Sequence, residues 1–558
     1  MKQAMNQPVN SIPAPLAQAA AEPRQRPRLM LAVMLLSVFM AVANIFIINV
    51  ATPSIQRGLH VDFYGVQFVV SAYTLSYAVA LIIGGRLGDR YGRRKMLLIG
   101  MAGFTLTSLL CGISGSVGVL TAIRVLQGFS AALISPQVLS LIQAQYPPEK
   151  RGMIFGLYGA AQGLAASTGQ LIGGLLLGWN PWDLDWRLVF FFSVPIGLII
   201  LAMAPFVPES RDSDRSRMDW FGAAVAAAGL LLLVYPLVQG QKEGWPTLLV
   251  ISLILSGPVL AVFVWTQRRL LAKGRRPFMN VRLFGQKAFS LGLAVIFLMM
   301  TAQAAFFLIT AYLLQMGHGF SALKSGLIIL PMGIGYFLAS LLSPKLAGKI
   351  GAHVLTVGSV LTSVGYFAVA LTIWATGWSP NVWFWLPALV LLGIGQGFIA
   401  APLTNVVLSK VEKQDIGSGS GILTTGMQLA SAIGIGLIGI VWMSSLSHYA
   451  NQAEVRTELE LRQHLTSYAL SEEQGQTALA RLRDCFPAAA GQAQAAPGAC
   501  KVTASAAGGV DRLVADGVSQ SNARSYTSAF ILSMTVLGFY TMLIIPMTVA
   551  LAGRKRKS

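Results

Sequence analysis

Long apolar runs separated by short polar stretches organise the whole chain. Fourteen of them are readable, at about 29–51, 64–86, 96–114, 117–141, 152–177, 187–207, 219–239, 247–267, 288–315, 323–342, 353–376, 382–408, 418–446 and 526–552. Some 20 residues at 1.5 Å each cross the hydrocarbon core, so each run predicts a membrane-spanning helix. The pattern predicts an all-α polytopic membrane protein of fourteen spans. A polar outward loop, about 447–525, interrupts the last pair. Within it NQAEVRTELELRQHLTSYAL predicts a helix, SEEQ (471–474) is a capping box opening another, and AAAGQAQAAPGAC is of low complexity. The loop reads as a solvated tether ahead of a lid or a docking surface.

Composition agrees with the pattern. Hydrophobic residues make up 54% of the chain and charged residues 11%, against roughly 25% charged in soluble domains. The net charge of +20 raises the question of nucleic acid, and its distribution answers it. With the N-terminus inside, inward segments hold roughly 29 Lys and Arg and short outward loops roughly 4, the asymmetry that orients membrane proteins. Topology and contact with lipid headgroups account for the basic clusters, and no nucleic-acid partner is expected. Both termini are expected to be cytoplasmic, in an inner (cytoplasmic) membrane. Residues 1–28 read as a disordered cytoplasmic arm with no cleavable signal peptide, because their small residues precede the first apolar run. Cys111 falls within the third span, whereas Cys485 and Cys500 share the outward loop. An oxidising compartment permits a Cys485–Cys500 bridge, the expected pairing, with two free thiols as the alternative.

The chain also repeats itself. RVLQGFSAALISP (124–136) in span 4 is answered by GIGQGFIAAPLTN (393–405) in span 12 when Gln127 is set on Gln396. GRLGDRYGRR (85–94) after span 2 is answered by PKLAGKIGAH (344–353) after span 10, and GLAASTG (163–169) in span 5 by QLASAIG (428–434) in span 13. Three matches in one order predict two homologous six-helix bundles, 29–207 and 288–552, with a hairpin, 208–267, inserted between them. A basic loop, 268–287, follows the hairpin, and a basic tail, 553–558, ends the chain. The hairpin's first run, FGAAVAAAGLLLLVYPLV (221–238), reads as lipid-facing. Repeated halves commonly place a substrate site between them near the midplane.

Chemistry concentrates in a few places. GGRLGDRYGRRKMLL (84–98) joins spans 2 and 3. Gly85, Gly88 and Gly92 permit a tight turn and close helix approach, and Asp89 sits among Arg90, Arg93, Arg94 and Lys95. Such a charged knot can latch one state of a rocking bundle. This stretch resembles the signature loop of the major facilitator superfamily, G-x-L-x-D-R-x-G-R-[RK], at each of its positions. RVLQGFSAA resembles that family's Arg-x-x-Gln-Gly motif. DWRLVFFFSVPIG (185–197) and SVFMAVANIFIINVATPSI (37–55) are similar to motifs of the fourteen-span drug:proton antiporter branch, which exports many drugs. The resemblance implies alternating access, export of small amphipathic compounds, coupling to the proton gradient, no bound cofactor and a monomer in the lipid bilayer.

Two departures qualify what the resemblance implies. Where the branch carries a carboxylate in span 1, this chain carries Asn44; where its span 5 signature has proline, GQLIGG (169–174) has Gln170. The missing proline predicts a straighter helix, and the missing carboxylate removes the usual proton carrier. All 21 acidic residues fall in loops, tails or helix ends. The one deep charge is Arg124, about 10 Å into span 4 at 1.5 Å per residue. It is expected to face a cavity or a polar partner shared with Gln127 at i+3, so neutral or anionic compounds are favoured over dications. Further cavity candidates are Tyr73, Tyr77, Tyr158, Gln162, Gln170, Gln303, Gln396, Asn405 and Gln428, each of which needs a hydrogen-bond partner if buried. His318 is a candidate for titration at an outer gate. No metal-ligand cluster, nucleophilic triad or phosphate-binding loop is readable, so no enzyme and no nucleotide-driven pump is expected. Alternatives to drug export are a facilitator or metabolite exporter with little proton coupling, and a non-transporting receptor or scaffold.

Overall fold

The computed structural model describes residues 27–61, 63–210, 219–275, 277–377, 382–409, 411–412, 415–463, 471–489 and 509–553. Its helices are α1 (Pro27–Leu59), α2 (Phe63–Tyr91), α3 (Arg93–Gly112), α4 (Val117–Ala132), α5 (Ser135–Gln145), α6 (Pro148–Trp179), α7 (Arg187–Phe191), α8 (Ser193–Ala202), α9 (Trp220–Glu243), α10 (Thr247–Ala272), α11 (Lys287–Tyr312), α12 (Ala322–Ile350), α13 (His353–Thr376), α14 (Leu386–Leu408), α15 (Ile416–Gln463), α16 (Glu472–Ala489), α17 (Gly509–Met542) and α18 (Ile544–Ala552). Among the described residues, eleven helices are long and apolar enough to cross a membrane. Each of the fourteen apolar runs is helical, although runs 4, 6 and 14 are each divided, into α4/α5, α7/α8 and α17/α18.

Local chemistry sets many of the ends. Ser116, Asp219 and Ser321 cap α4, α9 and α12 by accepting from the N–H of Val119, Gly222 and Lys324. The turn from α2 to α3 is made by Gly92 at φ 109°, and the turn from α12 to α13 by Gly351 at φ 63°. These glycines are partners in the sequence repeat, and both adopt a backbone that a side chain would strain. Helix α6 runs unbroken for 32 residues through Gln170, as expected of a helix without the proline.

Small residues bring the bundles together. A Cβ on Gly163 of α6 would lie 2.1 Å from the Tyr336 ring of α12, and one on Gly333 of α12 would lie 1.8 Å from Ser167 Oγ of α6. These helices therefore pack at a distance that only glycine allows. The inserted hairpin differs from its sequence reading. Helix α10 is largely outward-facing, but α9 packs against both α2 and α15. Ala223, Ala226, Leu230 and Val234, at helical spacing, are buried on that side. The alanines that made this run look featureless form its packing face.

The outward loop is also more structured than a tether. Helix α15 continues to Gln463, and α17 begins at Gly509, well before its apolar part. With α16 they bury Leu461, Ala478, Leu479, Leu482, Leu513 and Val514 in a core of their own. Ser471 and Gln474 form the reciprocal capping box, with bonds of 3.3 and 3.1 Å. Glu458 accepts from Arg462 and Arg483, which holds its carboxyl below the usual carboxylate range, and Arg524 pairs with Glu460. The Cys485–Cys500 pairing lies outside the described residues.

Candidate functional site: a buried arginine and a sealed face

Arg124 is fully buried in the N-terminal bundle. Its Nη1 donates to Asn44 Oδ1 of α1 at 2.8 Å and to Gln127 Oε1 at 2.7 Å, and its Nε donates to the Val69 carbonyl of α2 at 3.4 Å. Gln127 Nε2 in turn donates to Ser108 Oγ of α3 at 2.8 Å. The guanidinium lies over the Tyr73 ring at 4.2 Å, a cation–π contact worth on the order of 1–2 kcal/mol when desolvated. Four helices thus converge on one charge, and every group that accepts from it is a neutral oxygen. Among the described residues Arg124 forms no ion pair, and its Nη2 has no hydrogen-bond partner.

The C-terminal bundle has a polar centre at the repeat-related place. Gln303 of α11 donates to Gln396 Oε1 of α14 at 3.0 Å, and Gln396 Nε2 to Tyr366 Oη of α13 at 3.3 Å. The glycine after each conserved-by-repeat glutamine packs on backbone. A Cβ on Gly128 would stand 2.5 Å from the Tyr73 carbonyl, and one on Gly397 2.5 Å from that of Tyr336.

Other candidates are placed as follows. Tyr77 stacks on Tyr73 at 5.7 Å and exchanges a 2.6 Å hydrogen bond with Ser135. Tyr158 is buried on α6, where Gln162 donates to its hydroxyl at 3.4 Å. Gln170 is buried where Gly326 of α12 closes on the α6 backbone, whereas Asn405 and Gln428 are half-buried on α14 and α15. His318, beside the π-helical turn Leu313–Gly317, has its pKa pushed down to about 4, by burial first and then by Lys324, so it is neutral near pH 7.

At the face carrying the basic loops, the bundles are closed against each other. Arg93 Nη2 bonds Asp89 Oδ1 at 2.9 Å, and Arg86 stands 3.9 Å from Oδ2. Across the interface, the Asp89 carboxylate occupies the space where a Cβ on Gly417 would be, within 2.3 Å. A negative group against the first turn of α15 is favoured by the helix dipole, by about 0.3–2 kcal/mol. Gly85 closes on the Gly417 carbonyl, and Ser140 Oγ donates to Ser420 Oγ at 3.2 Å.

Of the basic residues expected at this knot, Arg93 meets Asp89, Arg90 lies over the Tyr91 ring, and Arg94 contributes its backbone N–H to Glu209. Sequence reasoning missed Glu209, whose carboxylate accepts from Arg94 and Lys95 at the start of α3, and Gln137, which bonds the Gly84 carbonyl. The only available signal was an acidic residue following span 6, which is too weak to single out. Buried Gln137 lay unremarked beside the Arg-x-x-Gln-Gly motif.

Comparison with known proteins agrees with this geometry. The Major Facilitator Superfamily profile matches residues 34–435. The chain is 31% identical to the probable actinorhodin transporter of Streptomyces coelicolor over 88% of this chain and 86% of that one. It is 32% identical to the multidrug resistance protein Stp of Mycobacterium tuberculosis over 74% and 75%. The crystal structure of the human organic anion transporter MFSD10 shares the fold at a TM-score of 0.55 and 16% identity, covering 75% of this chain and 94% of that one. The chain belongs to the major facilitator superfamily.

Proposed function

We propose that this protein is a fourteen-span secondary transporter of the cytoplasmic membrane that exports small amphipathic compounds by alternating access. In this reading it acts as a monomer, with its basic face and both termini in the cytoplasm. Relatives that are named as an antibiotic transporter and a multidrug resistance protein, aligned over most of their length, support export. The two-bundle geometry supports alternating access, because α2 and α15 meet at one face through contacts that can separate as a unit.

The observation that carries the cavity chemistry is Arg124, held by Asn44 and Gln127 without a carboxylate. A desolvated guanidinium is costly when only neutral oxygens surround it, and a substrate carboxylate or phenolate lowers that cost. The favoured substrates are therefore neutral or anionic amphiphiles, in preference to dications. The same observation favours a second reading of energetics, in which coupling to protons is weak.

The test is uptake into everted vesicles of an acidic fluorescent amphiphile, its methyl ester and a bis-cationic antiseptic, with and without a pH gradient. Export of the acid in preference to the bis-cation is expected. Equal handling of acid, ester and bis-cation would sink the anion preference, and absence of flux for all three would sink the exporter reading. Persistence of flux without a pH gradient would select weak coupling.

A further inference from the structure

The basic loop after the inserted hairpin reads as a topology signal in contact with lipid headgroups, yet its middle is buried. Phe278 is 2% exposed and Met279 7%. From the N-terminal bundle, Arg86 of α2 donates Nη2 to the Pro277 carbonyl at 2.7 Å and Nε to the Phe278 carbonyl. From the hairpin, Phe263 of α10 meets the Phe278 ring edge-on at 6.4 Å. Gln267 of α10 accepts from Met279 N at 3.1 Å while donating to Asp219, the cap of α9, at 2.9 Å. From the C-terminal bundle, Asp415 Oδ2 accepts from Asn280 Nδ2 at 2.8 Å, and Ser418 Oγ accepts from Asn280 N at 3.3 Å. Asn280 Oδ1 accepts from Arg282 N at 3.1 Å, which fixes the side chain for its bond to Asp415.

We propose that residues 277–280 form a clasp that joins α2, the inserted hairpin and the first turn of α15, and that holds the cytoplasmic face shut. The inference goes beyond the export reading and rests only on its alternating access and on the basic face being cytoplasmic. Arg86 and Asp415 belong to bodies that must part for the cytoplasmic face to open, and the clasp bonds one on each side. Opening therefore requires the segment to release at least one of them. Asn280 carries the contacts to the C-terminal bundle, through its side chain to Asp415 and its backbone N–H to Ser418. The hairpin then has a mechanical role: α9 touches both bundles, α10 carries Phe263 and Gln267, and together they present the clasp. Asn280 and Arg86 are positioning residues, since neither lies at the Arg124 centre.

The experiment reads the face directly and needs no substrate, so its outcome is separate from that of the export reading. In full-length protein with Cys111, Cys485 and Cys500 changed to serine, Ser420→Cys places a reporter in the seal, where Ser420 is fully buried. Labelling by a membrane-impermeant maleimide is followed in inside-out vesicles. Asn280→Asp keeps the cap on Arg282 and sets a carboxylate against Asp415. It is expected to speed labelling by about 5-fold or more, the scale of a modest conformational coupling. Adding Asp415→Asn restores a donor–acceptor pair with the roles exchanged and is expected to return labelling to the parent rate. Ser418→Ala, which removes the acceptor of Asn280 N without touching the Asp89 pair, is expected to speed labelling as well and supplies the reading if Asn280→Asp does not accumulate. Unchanged labelling in Asn280→Asp and Ser418→Ala overturns the clasp. So does a double variant that labels as fast as Asn280→Asp alone.

Discussion

In the N-terminal bundle, amides from α1 and α4 close on a guanidinium; in the C-terminal bundle, amides from α11 and α14 close on each other. Further helices finish each centre, α3 through Ser108 and α2 through Val69 in one, and α13 through Tyr366 in the other. The repeat has kept the scaffold and changed the charge. Under the alignment of Gln127 on Gln396, the position of Arg124 falls on Gly393. A Cβ there would lie 2.0 Å from the Met332 carbonyl of α12. The C-terminal bundle has thus used for close helix approach the site at which its counterpart holds a cation. The two halves are unequal in electrostatics while similar in packing, so charge-dependent substrate choice is expected to reside in the N-terminal half.

The largest effect that sharpens this contrast is expected from Arg124→Leu. It strips the donor from Asn44 Oδ1, at about 1–3 kcal/mol for a buried amide oxygen left unpaired, and leaves Gln127 Oε1 only the weak Cys111 thiol donor at 4.0 Å. A lowered melting temperature in detergent and loss of anionic flux are expected. Gln396→Leu strands Gln303 and Tyr366 instead and is expected to be milder, with selectivity retained. If the two variants destabilise equally and neither alters selectivity, the electrostatic distinction between the bundles fails.

Next in size is Asn44→Asp, which changes the charge without removing the hydrogen-bond acceptor. A carboxylate 2.8 Å from Arg124 Nη1 gives the guanidinium the counter-charge it lacks among the described residues. The expected result is weaker export of acidic amphiphiles, by about 5-fold or more at a coupling of 1 kcal/mol, with greater dependence on the pH gradient. Measured side by side in vesicles, unchanged selectivity and unchanged gradient dependence would leave Asn44 as a packing amide only. The equivalent change in the other half, Gln303→Glu, places a carboxylate beside amide and phenol groups rather than a cation, and is expected to cost stability without changing charge preference.

The glycines that follow each glutamine come next, because they probe packing alone. Gly128→Ala and Gly397→Ala each force a methyl to within 2.5 Å of a carbonyl, on Tyr73 and Tyr336 respectively. Overpacking of this kind costs about 1–3 kcal/mol. The expected losses in thermal stability are similar in the two halves, as the repeat implies. A large difference between them would mean that the bundles differ in packing as well as in charge.

Much of this architecture was legible because its signals are local. Apolar run length marked the helices, and QGF with its partner stretches marked the repeat. Gln127 could be placed beside Arg124 because i and i+3 share a helix face. The pairing of Asn44 with Arg124 was not legible, since 80 residues separate them and nothing in either helix specifies which faces meet. Gln303 and Gln396 were both recognised as needing partners, but not as partners of each other. The alanine face of α9 was misread because a small-residue stripe looks the same whether it meets lipid or backbone. Phe278 and Met279 were hidden for a different reason. Their neighbours are arginines, and charge density makes the segment read as a topology and headgroup signal only, whereas Arg86 draws its carbonyls into the protein. The outward loop looked polar because its core comprises only a few aliphatic side chains spread over three helices.

The smallest effect is expected from deleting the C-terminal centre altogether. In Gln303→Leu/Gln396→Leu both members of the amide pair are replaced by apolar groups of similar length, so no partner is stranded between them. Only the Tyr366 hydroxyl loses its donor. Replacing both partners of a buried hydrogen bond can be nearly neutral, whereas replacing one costs the desolvation of the other. The double variant is therefore expected to lie within about 1 kcal/mol of the parent and above Gln396→Leu alone, with flux of acidic and neutral amphiphiles in the parent ratio. Applied to the other half, the same logic gives the opposite answer. Asn44→Leu/Gln127→Leu removes both side-chain acceptors and leaves the cation with only the Val69 carbonyl, so the cost is expected to rise above that of either single change. Neutrality of the C-terminal pair alongside severe loss from the N-terminal pair would locate the functional asymmetry in the charge of Arg124 rather than in the number of polar side chains each bundle buries.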